Sequence, residues 1–120
     1  MTRRYLTTKE AGSVLRRGKA VEIFLGGFDF EGEKCIRWAS FTASGDKVSA
    51  SLWEAFDQGS EDYIDIYTFD SPSGEYGEPV KMVTSKSIES AANQLGIKEL
   101  KLVNSGVIQD EYNSYFKSHT

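Results

Sequence analysis

The stretch Glu33–Phe56, "EKCIRWASFTASGDKVSASLWEAF", decides the fold. Two alternating runs flank "SGD", a hairpin signal with Gly45 at the turn. If Gly45–Asp46 is a two-residue turn, residues whose numbers sum to 91 face each other. Trp38 then faces Trp53, Arg37 faces Glu54, and Ala39 faces Leu52. An aromatic pair and an opposite-charge pair are what a stable register shows.

Further strands are predicted around this hairpin. Before it, "KAVEIFLGG" alternates, with Val21, Ile23 and Leu25 on one side. The following "GGFDFEGE" reads as a loop, since it holds three glycines in eight residues. After the hairpin, "DYIDIYTF" is the expected third strand of a meander, reached through the loop "DQGSE". A three-residue connection there sets Asp65 opposite Trp53 and Ile66 opposite Leu52. "PVKMVT" is a short strand begun by a proline, and "KELKLV" alternates as another.

Three helices complete the pattern. Thr7 and Glu10 have capping-box spacing before a helix over Thr8–Arg17, and Gly18 offers a left-handed stop. Ser87 caps a helix over Ile88–Leu95. Ile108, Tyr112, Tyr115 and Phe116 form the apolar stripe of a helix over Ile108–Lys117. The expected fold is a single α+β domain over residues 1–120. It has a mostly antiparallel sheet, a β-meander, with helices packed mainly on one face.

Alternation sorts the meander into two faces. One carries Cys35, Arg37, Ala39, Phe41, Ala50 and Leu52 and reads as a helix-covered core with a polar rim. The other carries Trp38, Trp53, Tyr63, Asp65, Tyr67 and Phe69 among serines. It is either a solvated or aromatic-filled face, or a partner site, since Trp and Tyr anchor interfaces.

Charge adds a direction. The chain of 120 residues has a formal net charge of −4, yet residues 48–80 hold eight acidic residues and no basic one. Such a block repels nucleic acid and favours basic partners or cations. No dense Lys/Arg run points to DNA or RNA. Apolar runs are too short to span a membrane, and the start is not a secretory signal. One cysteine forbids an internal disulfide and fits a reducing, cytoplasmic location.

The chemistry-bearing residues are sparse. The only histidine, His119, lies next to the last residue, a poor place for a general base. Cys35 falls on the core face, as a small hydrophobe rather than a nucleophile. One Cys and one such His leave no zinc site, and "DQGSEDYID" lacks the EF-hand pattern, so no metal is expected. "LGGFDFEG" lacks the phosphate-binding glycine spacings, so no cofactor is implied, and a turn or bulge is its reading.

These residues point first to a non-enzymatic binding protein, inhibitor- or immunity-like, that engages a basic protein partner. Its expected contact set is Trp38, Trp53, Asp57, Glu61, Asp62, Tyr63, Asp65 and Tyr67. One alternative is a small hydrolase or carbohydrate-binding module centred on Asp65 and its neighbouring rings. Another is a homodimer through the aromatic face; the chain is otherwise a monomer.

Overall fold

In the computed structural model, residues 5–59, 66–69 and 79–118 are described. Among them, one five-stranded antiparallel sheet carries three helices, an α+β domain. The helices are α1 (Thr8–Arg16), α2 (Ile88–Gln94) and α3 (Ile108–Ser118). The strands are β1 (Val21–Phe30), β2 (Glu33–Ser44), β3 (Lys47–Phe56), β4 (Lys81–Ser85) and β5 (Val103–Asn104). Their spatial order is β4-β3-β2-β1-β5.

The β2–β3 ladder runs from Cys35↔Phe56 to Ser44↔Lys47, so every pair has the register expected of a Gly45–Asp46 turn. Gly45 has φ +63°, as the first central residue of a type II′ turn requires. Glycine reaches that conformation without steric cost. Arg37 faces Glu54, and its Nε and Nη2 donate to Oε2 at 2.8 and 2.6 Å.

Two expectations are corrected here. "GGFDFEGE" is not a loop, because β1 continues through it to Phe30. Its glycines serve three separate purposes. Gly26 (φ +92°) sits at a bulge, Gly27 makes room for Tyr115, and Gly32 closes the turn to β2. The second correction concerns β3. Its outer partner is β4, with Leu52 opposite Lys81, so Ile66 does not face Leu52. Ile66–Thr68 instead forms one turn of 3₁₀ helix. Ile66 and Phe69, three residues apart, both turn into the core.

Local signals set the helix starts. Thr7 Oγ1 accepts from Glu10 N–H at 3.1 Å, and Glu10 Oε1 accepts from Thr7 N–H at 2.8 Å. This reciprocal box satisfies two amide groups that the first turn leaves unpaired. Ser87 Oγ accepts from Ser90 N–H at 3.1 Å to start α2. No described helix is long and apolar enough to cross a membrane.

Both faces of the sheet are covered. Two of the three helices share one face, where Ala11, Val14 and Leu15 of α1 and Ile88, Ala91 and Ala92 of α2 meet Val21, Ile23, Ala39, Phe41 and Ala50. On the opposite face, Ile108 and Tyr112 of α3 meet Ile36, Trp38, Ala55 and Val103, with Ile66 and Phe69 alongside. Each fully buried large apolar side chain contributes roughly 1.5–3 kcal/mol. The two layers together hold α1, α2 and α3 to one sheet.

Candidate functional site

Four of the eight expected contact residues are described: Trp38, Trp53, Asp57 and Tyr67. Glu61, Asp62, Tyr63 and Asp65 lie outside the described residues, and so does any hydrolase or sugar site centred on Asp65. The four do not form one exposed patch. Trp38 is 5% exposed and belongs to the core beneath α3, so its ring is not a contact surface. Trp53 stacks on it with centroids 6.3 Å apart and is half-buried, donating from Nε1 to Ser40 Oγ at 3.0 Å. The aromatic face is therefore a core layer where α3 covers it. That cover, supplied within one chain, leaves Trp38 no surface to offer a second copy.

Tyr67, 40% exposed, sets its ring edge-on to Trp38 at 6.4 Å while its hydroxyl is held by β1. Its hydroxyl donates to Oε1 of Glu22 at 2.7 Å, and the Gly106 N–H reaches the same oxygen at 3.2 Å. Glu22 lies on β1 facing the α3 side and is 4% exposed. Burial raises its pKa above the usual carboxylate value, and the bonds from Tyr67 and Gly106 counter that only in part. Burial, together with the carboxylate beside it, raises the Tyr67 hydroxyl as well. One carboxylate and one phenol can hold a proton here. Among the described residues no second carboxylate joins them as an acid–base pair, and glycosidase chemistry needs two.

The composition of β1 hides this pair from a reading of motifs. Glu22 stands between Val21 and Ile23, and only strand alternation reveals that it faces away from them. Its partners come from residues 67 and 106, which no local spacing connects to it.

Asp57 sits in a second tyrosine–carboxylate pair. Tyr112, fully buried on α3, donates to Asp57 Oδ1 at 2.5 Å. The Gly59 N–H also bonds to the Tyr112 hydroxyl, and a side chain at Gly59 would overlap the Tyr112 ring. Residues 57–59 are thus fastened to α3. Asp57 is placed at the same end of the sheet as the turn between β1 and β2, since its N–H donates to Lys34 O at 2.9 Å.

That end is acidic. Asp29, Glu31 and Glu33 lie on or beside the Glu31–Gly32 turn, while Glu54 and Asp57 close β3. Cys35 registers the field. Burial raises its thiol pKa most, and Glu54, Glu33, Asp29 and Asp57 raise it further. Of these carboxylates Glu54 is paired with Arg37. Lys34 is opposite Asp29 in the ladder. Phe30, 40% exposed, stands at the tip among the acids. A thiol so placed is held protonated and is a poor nucleophile. Among the described residues no three His, Cys, Asp or Glu side chains group as metal ligands.

Beside this end lies an edge of β1 that pairs with β5 for only two residues among the described ones. β5 pairs only with Val21 and Glu22. Beyond them, no strand among the described residues covers β1 from Phe24 to Phe30. A cleft of about 630 Å³ meets β1 at Ile23 to Gly26 and reaches Leu52 on β3 and Leu95 and Ile97 at the end of α2. Lys98, Lys101, Glu111 and Tyr115 also line it.

Comparison with protein-family models, with curated proteins and with solved structures finds no match.

Proposed function

We propose that this chain is a non-enzymatic binding protein that engages a basic partner protein through the acidic end of its sheet. The carrying observation is the gathering of Asp29, Glu31, Glu33 and Asp57 at one end of the sheet, by the Glu31–Gly32 turn and the Asp57 N–H bond to Lys34 O. Two segments distant in sequence, residues 29–33 and 54–57, bring like charges together, which costs stability and is useful when a cation arrives. Exposed Phe30 supplies an apolar contact inside the charged rim, the arrangement found where aromatic anchors carry binding. Asp57 is the residue shared by this surface and the contact set expected from the sequence. Trp38 drops out of it by burial.

Charge of this kind speeds encounter and selects partners more than it adds affinity. A neutraliser of a cationic enzyme, of the inhibitor or immunity type, fits that pattern as a class analogy. A pull-down at low salt from the cells that make the protein tests the reading. The variant carrying Glu31→Lys and Glu33→Lys should lose the basic partner that the parent protein captures. Capture of the same partner in equal amount by the reversed variant would rule the acidic end out as the contact.

A further inference from the structure

We infer that the open edge of β1 is a docking site for an extended basic segment of the partner, which adds to the sheet as a further strand. This rests on the acidic-end reading and specifies how the partner is held.

The backbone geometry comes first. Phe30 and Glu33 flank a two-residue turn, in which Glu31 and Gly32 both have positive φ, at 51° and 84°. In such a hairpin the closing pair exchanges its hydrogen bonds, and the pattern then alternates. Phe30 and Phe28 therefore direct their N–H and C=O groups to β2. Gly27 and Asp29 direct theirs outward. The bulge ends at Gly26, so Gly27 to Phe30 is a regular ladder on its inner side. Both Gly27 and Asp29 are exposed. Among the described residues no strand pairs with their outward groups, which form a template for another strand.

Side chains define the occupant. An added strand alternates its own faces across those of β1. On one side it meets Phe28, whose ring lies under Arg37, and beyond the bulge Leu25. On the other side it meets Asp29, with Asp57 two strands away in the same row. A segment alternating apolar and basic residues matches both sides. A second copy of this chain matches poorly, because edge-to-edge pairing would bring Asp29 and Glu31 of both copies together.

A short peptide of alternating lysine and valine is the probe, with amide hydrogen exchange of the intact protein as the readout. Exchange at Gly27 and Asp29 should slow severalfold in its presence. The same peptide N-methylated at alternate backbone positions keeps its charge and should give no protection. Asp29→Pro removes an outward N–H without removing a bond of the β2 ladder and should abolish protection at Gly27, whereas Asp29→Asn should retain part of it. Equal binding of the two peptides to the parent protein, without slowing at Gly27 and Asp29, overturns edge docking and leaves the charge reading standing. Protection at the Met82 and Thr84 amides instead places docking on β4 and overturns it too. Protection that grows with protein concentration alone would assign the edge to a second copy and sink the proposal. An alternating glutamate–valine peptide that protects Gly27 and Asp29 equally well removes the basic-partner reading while the edge itself survives.

Discussion

The Tyr67 hydroxyl donates to the Glu22 carboxylate at 2.7 Å, joining a turn of 3₁₀ helix to the middle of the sheet. The bond holds a buried acid whose proton affinity the fold has raised. A folded pKa above the unfolded value of 4.5 means the native state binds the proton more tightly. The contribution favours folding fully below the unfolded pKa. It is lost as pH rises through the folded value. Glu22→Gln keeps an oxygen that can accept from Tyr67 and Gly106 and removes the charge. Urea denaturation should show Glu22→Gln at least as stable as the parent at pH 8, with a flatter dependence above pH 5. A loss at pH 8 larger than at pH 5 would contradict this account of Glu22.

Gly27 is fixed by a close approach. A Cβ there would overlap the Tyr115 hydroxyl and lie 2.9 Å from its Cζ. Gly27→Ala should cost roughly 1–3 kcal/mol, the usual range for overpacking. Tyr115→Phe removes the overlapping oxygen, so the cost of Gly27→Ala should shrink in that background. A double-mutant cycle measured by denaturant unfolding checks the coupling. Additive effects would mean that α3 yields freely at this contact.

The Arg37–Glu54 bridge is half-exposed, with side-chain accessibilities of 38% and 20%. Arg37 also lies over the Phe28 ring at 4.2 Å. Exposed pairs of this kind contribute about 0.2–1 kcal/mol and are screened by salt. A cycle of Arg37→Ala and Glu54→Ala should give a coupling in that range that falls at high salt. Arg37→Ala should cost more than the coupling alone, because its stacking on Phe28 goes as well. A coupling unaffected by salt would contradict the electrostatic account of the pair.

Tryptophan quenching reads the aromatic layer directly. Trp38 is 5% exposed and Trp53 is half-buried, so acrylamide should quench the pair weakly. Iodide should quench still less, because negative net charge repels it. Strong quenching by both would contradict the placement of Trp38 beneath α3.

The sequence displays the local devices of this fold clearly. The Gly45 turn, the Thr7 and Ser87 caps and Ile108 and Tyr112 of the α3 stripe act over a few residues, and each appears where spacing predicts it, while the side chain of Phe116 lies outside the described residues. Longer-range choices are harder to read. Alternation in "DYIDIYTF" suits a strand, but Ile66 and Phe69 turn into the core three residues apart while "KMVTS" takes the place beside β3. The glycines of β1 suggest a loop because a bulge, a close contact and a turn use the same residue type. Which face α3 covers depends on packing between distant segments, so Trp38 could be read as an anchor from its strand face alone. The acidic block was legible as composition. The end of the sheet where it joins Asp29, Glu31 and Glu33 was not, because that depends on β1 continuing to Phe30.

The central claim is that the acidic end of the sheet is the surface a basic partner covers. An amide exchange map of the complex with the captured partner tests it most directly. Slowed exchange should concentrate at Asp29 to Lys34 and at Asp57. Slowing confined to the α1–α2 surface or to the β4 edge, with the Glu31 turn unchanged, would contradict the account.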